Sequence, residues 1–349
     1  MWVPESVPVA VVGASGYVGG ELVRLVDRHP VFEAAILVGH ATAGKTLAEV
    51  HPHLSGGGRI LSPWDPAAVA ASGARLAFLA LPHGASAGPA LELLDRGLRV
   101  VDLGSDFRFD GPDRYREAYG VDHPRPEELG RWAYGLPELF RAEVVGSDRV
   151  AAPGCYPTAA VLSVAPLLRD GLVEPSGIVV DAKSGASGAG RAVTEALVFG
   201  AVDESVRAYK ILEHRHQPEM ERALEAIVTD PVRVLFTPHL VPMQRGILST
   251  AWVRTKPGVI EDDLAESLGR AYAKAPFVEV VDRPPETRWV VGSNRALLHV
   301  RHDRRGGIAV VVAAIDNLVK GAAGQAVQCA NLMFGFDEAA GLPVEGWMP

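Results

Sequence analysis

Short apolar runs alternate with helical patterns along the first hundred residues of the chain. Runs that suit strands buried on both faces of a sheet lie at 7–12, 34–38, 75–81 and 99–103. The stretch 21–26 and the Ala- and Leu-rich stretch after Gly84 have apolar residues at helical spacing. Strands that alternate with helices predict an α/β fold, a doubly wound parallel sheet of the Rossmann type.

The second half has a different order of elements. Strands are predicted at 178–180, 232–236, 247–254, 278–281, 296–300 and 308–314, and helices at 158–168, 219–227 and 261–274. These elements predict a second, α+β domain with a mixed or antiparallel sheet. Residues 110–146 are rich in Pro, Gly and charge and are interpreted as an irregular excursion between the two halves.

A glycine pattern joins the first predicted strand to the first predicted helix. Gly13, Gly16 and Gly19 stand at the spacing G-x-x-G-x-x-G. Glycines let a backbone approach a pyrophosphate, whose charge is met by the amides at the helix N-terminus. The pattern predicts a dinucleotide site, and a glycine-rich turn that binds nothing is the alternative.

The residues that follow the second predicted strand indicate whether the cofactor is NAD or NADP. An NAD site usually has an acidic residue at the end of this strand, for the ribose hydroxyls. None follows Val38, whereas Thr42 and Lys45 are placed to face a 2′-phosphate. The sequence therefore favours NADP.

The loops after the third and fourth strands are expected at the ligand-binding edge of the sheet. They carry Pro82, His83, Ser105 and Arg108. The planar guanidinium of Arg108 suits a carboxylate or phosphate of the substrate, and a salt bridge with a nearby aspartate is the alternative. A loop hydrogen bond is the expected role of His83.

Chain length and net charge limit the kinds of protein that this sequence can encode. A chain of 349 residues predicts two domains, and its net charge of -8 gives no basic footprint for nucleic acid. The sequence shows no signal-peptide pattern and no apolar run long enough to span a bilayer. The only cysteines, Cys155 and Cys329, are interpreted as thiols in a reducing cytoplasm.

Cys155 is the predicted nucleophile. It follows Pro153-Gly154 and precedes the helical pattern 158–168, so the positive end of a helix is expected to lower its thiol pKa. The amides after Cys155 are candidates for an oxyanion site. The alternative is a small buried hydrophobe, which is how Cys329 is interpreted.

A nucleophilic cysteine needs an acid/base partner, usually histidine. His214 and His216 form the densest cluster, and His216 is expected in the loop that enters the helix 219–227. His239 is the second choice, and His299 is expected to be structural. No third ligand of suitable spacing stands near the cluster, so no metal site is predicted.

Two further segments are candidates for the cofactor site. The segment 181–191 contains glycines and hydroxyls, among them Ser187 and Gly188, and is expected to face nicotinamide or substrate. Asn317 precedes the last helix and is expected to reach the nicotinamide amide. A glycine-rich flexible lid is the alternative for the first segment.

With these residues the chain resembles the N-acetyl-γ-glutamyl-phosphate reductases, a family of the semialdehyde dehydrogenase superfamily. The resemblance runs nearly end to end. Its motifs lie at 13–17, 102–108, 153–158, 183–191, 214–219, 238–246 and 314–324. Relatives that reduce carrier-protein-bound aminoadipyl phosphate are expected to have Asn-Ala where this chain has Tyr156-Pro157.

The resemblance implies an NADPH-dependent reduction of N-acetyl-γ-glutamyl phosphate to the 5-semialdehyde in arginine biosynthesis, through a thioester on Cys155. It implies His216 as base, His214 as its positioning partner, and a homo-oligomer, dimer or tetramer. It also implies an NADP-binding domain of residues 1–152 completed by a helix at 317–349, and a substrate and oligomerisation domain of residues 153–316. The predicted NADP contacts are Gly13, Ser15, Gly16, Tyr17, Val18, Gly19, Thr42, Pro82, Ser187, Gly188 and Asn317, and the predicted substrate contacts are Ser105, Arg108, Arg191 and Arg245.

Two rival functions are compatible with these motifs. One is a reductase for another acyl phosphate, such as aspartyl, glyceroyl or aminoadipyl phosphate. The other is a non-catalytic NADP-binding regulator, which would need neither Cys155 nor its histidines.

Overall fold

The computed structural model describes residues 6–192 and 194–347. In chain order the helices are α1 (Tyr17–Val26), α2 (Leu47–Val50), α3 (Pro66–Ala71), α4 (Ala87–Leu94), α5 (Pro112–Tyr119), α6 (Pro137–Val144), α7 (Cys155–Arg169), α8 (Phe199–Val202), α9 (His216–Glu225), α10 (Glu261–Tyr272) and α11 (Gly324–Met333). The strands are β1 (Val7–Val12), β2 (Phe32–Val38), β3 (Leu76–Leu79), β4 (Arg99–Asp102), β5 (Ala133–Tyr134), β6 (Arg149–Ala151), β7 (Ile178–Ser184), β8 (Arg207–Ala208), β9 (Val234–Leu240), β10 (Ile247–Arg254), β11 (Val278–Val280), β12 (Ala296–Asp303) and β13 (Ile308–Ile315).

The chain divides into two compact units. The first contains the residues up to Pro112 together with His123–Pro153 and Ala322–Leu342, and the second contains Asp113–Asp122, Gly154–Gly321 and the residues from Pro343. No helix in the described part of the chain combines the length and apolarity needed to cross a bilayer.

The first unit is built on a six-stranded parallel sheet with the order β2-β1-β3-β4-β6-β5. Its central strand β3 is buried throughout and β4 is buried from Val100 onward, as the apolar runs predicted. Side chains of β1, β3 and β4 that share one face pack with Ala90 and Leu93 of α4. On the other face Phe78 contacts Phe32, which in turn contacts Phe334 just after α11. The predicted doubly wound Rossmann-type sheet is confirmed.

Three predictions for the first half and the C-terminus differ from the structure. Helix α1 begins at Tyr17 instead of Glu21, because the turn before it closes within four residues. The predicted irregular excursion 110–146 contains α5, α6 and β5, which their Pro-rich and charged sequence concealed. The C-terminal helix, expected over 317–349, ends at Met333 and is followed by turns up to Trp347.

The second unit is built on a seven-stranded mixed sheet with the order β11-β12-β13-β10-β7-β9-β8. β10 is antiparallel to β7 and β13, and β7 is parallel to β9. The predicted mixed sheet is therefore confirmed, and β10 occupies the predicted residues 247–254.

One face of this sheet holds the core of the second unit. Helix α7 packs on β10 and β13 and also contacts α9 and α10. Burial alternates along β10: Ile247, Ser249, Ala251 and Val253 are buried, and Leu248, Thr250 and Trp252 between them are half-buried. Each fully buried Val or Ile contributes about 1.5–3 kcal/mol, so this pattern fixes the register of the strand. On the opposite face the side chains of Val179, Trp252 and Val310 are half-buried.

Candidate active site

The glycine turn of the first unit packs backbone against backbone. Gly13 has a φ of +84°, and a β-carbon there would lie 2.3 Å from the carbonyl oxygen of Ala80. A β-carbon on Gly19 would lie 2.1 Å from the carbonyl oxygen of Gly13. Any side chain at these two positions would force the turn apart. The glycines thus hold the start of α1 against the ends of β1 and β3.

This turn fits a dinucleotide pyrophosphate. Gly16 precedes α1 without a side-chain cap on the first amides of the helix, which therefore point out of its N-terminus. Backbone amides at an uncapped helix start bind anions. Ser15 lies in the turn, and Tyr17 and Val18 begin the helix, with Tyr17 40% exposed. The predicted contacts of the glycine motif are therefore gathered at one helix N-terminus.

The end of β2 carries the residues predicted to distinguish NADP from NAD. Thr42 is half-buried and Lys45 is exposed, and both lie in the turns that follow β2. The Lys45 amide donates to the Thr42 carbonyl oxygen over 3.1 Å. Their placement after the second strand is the one that the sequence predicted.

A polar network joins the loops that follow β3 and β4. Nδ1 of His83 lies 2.5 Å from Oγ of Ser105 and 3.5 Å from Oδ1 of Asp106. The carboxylate of Asp106 accepts hydrogen bonds from the amides of Gly84, Ser86 and Ala87. Asp106 therefore ties the loop containing Pro82 and His83 to the loop containing Ser105.

Two buried carboxyl groups in this network have opposite pKa shifts. Complete burial, reinforced by the charge of Asp106, raises the pKa of Asp102 to about 7. Burial opposes ionisation of Asp106 as well, but hydrogen bonds from His83, Gly84 and Ser86 hold its pKa at about 2. Arg108, buried beside them, donates to the carbonyl oxygen of Leu103 over 3.1 Å. Asp106 is thus the fixed negative charge at this edge of the sheet.

The second unit places Cys155 as the first residue of α7. The helix begins at Cys155 and not at Thr158 as predicted, with Gly154 as its N-cap. The cysteine is half-buried and free of any disulfide. Of the amides that follow it, that of Thr158 donates to the Gly154 carbonyl oxygen, and Pro157 has none. Of these three residues, Tyr156 is therefore the one whose amide is the candidate oxyanion donor.

Glu219 holds the backbone next to the thiol. Its side chain is fully buried, and Oε1 accepts a hydrogen bond of 2.8 Å from the amide of Gly154. It lies one turn after His216 on α9, so α9 supports the start of α7. No role for Glu219 was predicted from the sequence, although its i+3 spacing from His216 puts both on one face of a helix.

His216 packs against the same glycine. A β-carbon on Gly154 would lie 2.5 Å from Nε2 of the His216 ring. His216 is the first residue of α9 and is buried, so the prediction of a loop residue is wrong. The helix starts at His216 and not at Glu219, which places the imidazole on a rigid element beside the residue preceding Cys155.

His214 is held in its neutral form. Nδ1 accepts a hydrogen bond of 3.1 Å from the His216 amide, and the ring stacks edge-on with Tyr156 and Phe236. Burial, with the positive charge of Arg215, lowers the pKa of His214 to about 4. Through this hydrogen bond the neutral ring of His214 holds the backbone of His216 in position.

Tyr156 and Tyr209 pack against the ring of His214, and Tyr156 also packs against that of His216. The hydroxyls of Tyr156 and Tyr209 lie 3.0 Å apart. Burial raises the pKa of both phenols, so both stay protonated. Gly321 stands on another side of the cysteine, where a β-carbon would lie 2.8 Å from Cβ of Cys155. Tyr209 and Gly321 were not identified from the sequence.

The loop after β7 is bonded to Asn317. The amide nitrogen of Asn317 donates to Oγ of Ser187 over 3.0 Å, and its oxygen accepts from the amide of Gly246 over 2.7 Å. A β-carbon on Gly188 would lie 3.7 Å from the same amide nitrogen. The structure therefore brings together Ser187, Gly188 and Asn317, three residues predicted to contact the cofactor.

Arg245 forms a buried ion pair. Two of its nitrogens lie 3.1 and 3.2 Å from the carboxylate of Asp316. Asp316 is fully buried and also accepts from the amides of Gly292, Leu318 and Val319. Asp316 thus anchors Arg245 to the π-helical turn Val319–Ala323 that leads into α11. Asp316 was not identified from the sequence.

His239 and His299 contact other residues. His239 is on β9, with Nδ1 3.3 Å from Oδ1 of Asp181 on β7, and His299 on β12 bonds the carbonyl oxygen of Val281. Arg191 is exposed. Among the described residues no group of three or more His, Cys, Asp or Glu side chains is arranged to hold a metal ion.

Comparisons with known proteins identify the family of both halves of the chain. Residues 8–147 match the family model described as semialdehyde dehydrogenase, NAD binding domain. Residues 155–317 match the model described as semialdehyde dehydrogenase, dimerisation domain.

Curated relatives extend over nearly the whole chain. A protein of Frankia casuarinae named N-acetyl-gamma-glutamyl-phosphate reductase is 49% identical over 98% of this chain and 99% of its own length. A protein of the same name from a Picosynechococcus species is 43% identical over 99% of both chains. A third, from Magnetococcus marinus, is 44% identical over 96% of both chains.

Solved structures show the same fold at lower identity. Aspartate semialdehyde dehydrogenase II of Vibrio cholerae has a TM-score of 0.69 at 21% identity, covering 95% of this chain and 99% of that one. Aspartate semialdehyde dehydrogenase of Candida albicans, solved with NADP, has a TM-score of 0.67 at 16% identity and covers 95% of this chain and 99% of that one. The architecture of both units is therefore that of the semialdehyde dehydrogenases.

Proposed function

This chain belongs to the N-acetyl-γ-glutamyl-phosphate reductase family, and we propose that Cys155 and His216 carry out its reaction. The enzyme reduces N-acetyl-γ-glutamyl phosphate with NADPH to N-acetyl-L-glutamate 5-semialdehyde and phosphate, a step of arginine biosynthesis. The observation that carries the residue assignment is the packing of His216 against Gly154, next to the cysteine at the start of α7.

Cys155 attacks the acyl phosphate. The thiolate forms a bond to the acyl carbon, the carbon–oxygen bond to phosphate breaks, and phosphate leaves with the electron pair. The product is a thioester. The first residue of a 15-residue helix lies in the positive end of its macrodipole, which favours the thiolate. The amide of Tyr156 is the donor toward the tetrahedral oxygen.

His216 is the acid/base group. It takes the proton of the Cys155 thiol and returns it to the oxygen of the tetrahedral intermediate after reduction; collapse of that thiohemiacetal releases the semialdehyde and the thiol. His214 is a positioning residue, since its neutral ring bonds the His216 amide and its pKa of about 4 removes it from proton transfer at neutral pH.

NADPH supplies the hydride when bound. The first unit carries the residues that suit it: the Gly13–Gly19 turn and the start of α1 for the pyrophosphate, and Thr42 for the 2′-phosphate. Pro82, Ser187, Gly188 and Asn317 are proposed as contacts of the nicotinamide half. The hydrogen bond from Asn317 to Ser187 keeps that loop in shape.

Four residues are proposed to bind the anionic groups of the substrate: Ser105, Arg108, Arg191 and Arg245. Arg245 differs from the others, because two of its five N–H groups bond the buried Asp316. The pair fixes the orientation of the guanidinium, so that Arg245 meets a carboxylate or phosphate without losing side-chain freedom.

We further assign NADP binding to the parallel-sheet unit and substrate binding and assembly to the mixed-sheet unit. The apolar face of the mixed sheet opposite α7 supports association with a second copy. Trp252, Val310 and Val179 share that face through the strand registers and are half-buried, and Leu235 beside them is 52% exposed. Trp252→Asp is expected to convert the oligomer to monomers in sedimentation velocity, whereas Arg254→Asp, at the strand end, leaves the mass unchanged. A monomeric wild-type protein would contradict this assignment.

A cytoplasmic location is also proposed. Both cysteines are free thiols, as expected in a reducing compartment. Fractionation of cells that express the tagged chain should find it with cytoplasmic markers.

The decisive experiment removes the thiol. Cys155→Ala is expected to lower turnover by at least about 10⁴-fold while NADPH binding, followed by fluorescence, is retained. The matched control is Cys329→Ala, which removes the buried cysteine of α11 and should keep turnover. Turnover that persists in Cys155→Ala would refute the nucleophile.

The histidines are separated by a second pair of variants. His216→Asn is expected to lower kcat by about 10²–10⁴-fold. His214→Asn keeps an acceptor for the His216 amide and should lower kcat far less. Equal losses would mean that His214 also transfers a proton.

Oxidation of several semialdehydes in the presence of phosphate should show preference for the N-acetylated glutamate derivative.

A further inference from the structure

We propose that His83 is a positioning residue for the substrate, which it serves by directing the hydroxyl hydrogen of Ser105 toward an anionic oxygen of the acyl phosphate. The inference rests on the substrate-binding role of Ser105 proposed above. It concerns the network after β3 and β4, where Nδ1 of His83 lies 2.5 Å from Oγ of Ser105 and 3.5 Å from Oδ1 of Asp106.

Asp106 determines which ring nitrogen of His83 carries the hydrogen. Its carboxylate is fully buried and cannot turn away, because the amides of Gly84, Ser86 and Ala87 all donate to it. A fixed carboxylate beside an imidazole nitrogen favours a hydrogen on that nitrogen. Nδ1 of His83 is therefore the protonated nitrogen in the neutral ring.

The tautomer then sets the direction of the Ser105 hydroxyl. An N–H at 2.5 Å makes Oγ of Ser105 an acceptor toward His83, so the hydrogen of the hydroxyl must point elsewhere. With the opposite tautomer, Ser105 would donate to His83 and present only lone pairs to an approaching anion. The Asp106–His83–Ser105 network thus turns a hydroxyl that can donate or accept into a donor.

Ser105 lies at the edge of the parallel sheet where a ligand is expected to bind, so its hydroxyl can donate to that ligand. It follows β4, and His83 follows β3, its direct neighbour in the parallel sheet. Ligands of open α/β sheets bind at the carboxyl ends of the strands. A hydrogen bond from Ser105 to a charged oxygen is expected to change substrate affinity by about 10- to 100-fold.

The test compares two amides that imitate different nitrogens of the ring. The side-chain nitrogen of asparagine lies near the place of Nδ1, and that of glutamine near the place of Nε2. His83→Gln is expected to raise the KM for the acyl phosphate about 10-fold or more, and the KM for phosphate in the reverse direction likewise. His83→Asn should stay within about threefold of wild type. In both variants the KM for NADPH and kcat should change little.

Ser105→Ala separates this role from a purely structural one. The single variant is expected to raise the KM for the acyl phosphate, and His83→Gln should add nothing further in the Ser105→Ala background. Additive effects, equal losses in His83→Asn and His83→Gln, or a change confined to the KM for NADPH would each overturn the inference. An unchanged KM in Ser105→Ala would overturn it together with the role of Ser105, while Cys155→Ala reports independently on the nucleophile.

Discussion

The imidazole of His216 occupies the space that a side chain at residue 154 would need: a β-carbon on Gly154 would lie 2.5 Å from Nε2. Glycine at this position is therefore what allows the histidine to lie beside the start of α7. Glu219, from the same helix as His216, bonds the Gly154 amide and holds the two helix starts together.

Gly154→Ala is expected to reduce activity more than stability. The added methyl would lie 2.5 Å from Nε2, so the His216 ring must move by about 1 Å to reach ordinary contact, and misplacement on that scale costs about 10²-fold in rate. We expect kcat to fall by about that factor while the melting temperature drops by only a few degrees. Steady-state kinetics and thermal unfolding measure the two effects.

Gly88→Ala is the matched control for Gly154→Ala. Gly88 also lies near the start of a helix, α4, but a β-carbon there meets nothing within 4 Å. It should leave kcat unchanged. A Gly154→Ala enzyme of full activity would show that the close approach of His216 is not needed for turnover.

His214 makes stability depend on pH. Its pKa is lowered from 6.5 to about 4 in the folded chain, so the unfolded chain binds the proton more readily between these values. The contribution to the free energy of unfolding is present above about pH 6.5 and is lost as the pH falls toward 4, by up to about 3 kcal/mol. Urea unfolding of wild type and His214→Asn across this range should give curves that converge at low pH. Parallel curves would contradict the buried neutral ring.

Asp102 changes the free energy of unfolding with pH in the opposite direction to His214. Its pKa is raised from 3.8 to about 7, so the folded chain holds the proton more tightly than the unfolded chain does. This contribution is present below about pH 4 and is lost as the pH rises through 7. Asp102→Asn keeps an acceptor for the Gly104 amide and a partner for Ser86. It should gain stability over wild type between pH 5 and pH 8, as followed by urea unfolding; a loss over that interval would contradict the raised pKa.

The pair of Arg245 and Asp316 should be costly to break from either side. Arg245→Ala leaves a fully buried carboxylate without its cation and is expected to lower the free energy of unfolding by about 3–5 kcal/mol. Arg245→Lys should recover only part of this, because an ammonium cannot bond both carboxylate oxygens with the same geometry. Arg254→Ala, an exposed arginine on β10, is the control and should change stability by less than about 0.5 kcal/mol.

Much of the fold can be predicted from the local pattern of apolar and polar residues along the chain. β1 and β10 occupy their predicted residues, because one is a continuous apolar run and the other is bounded by Gly246 and by charge. The helices α5 and α6 were missed, since α5 has few apolar residues and α6 is only eight residues long with non-helical backbone angles at Phe140. Periodicity has little to detect in a polar helix of eight residues.

The candidate site was predictable in its residue types and not in its geometry. Cys155 and the two histidines stand out because few side chains perform nucleophilic and proton-transfer chemistry. Glu219 and Asp316 do not stand out, because their function is to bond backbone amides that only the tertiary fold brings to them. The helix start at His216 was also hidden, since Pro218 can stand at any of the first positions of a helix.

The outer strands of both sheets are short or covered. β8 and β11, which end the mixed sheet, have two and three residues, and β5 has two. The seven-residue β2 is shielded at its end by Ser62, which bonds Leu37 and Gly39. Unpaired edges are templates on which strands of other molecules add, and β5, β8 and β11 offer only two or three residues each for such pairing. At these three edges the described part of the chain presents little backbone for cross-β growth, and we expect copies to associate there through side chains.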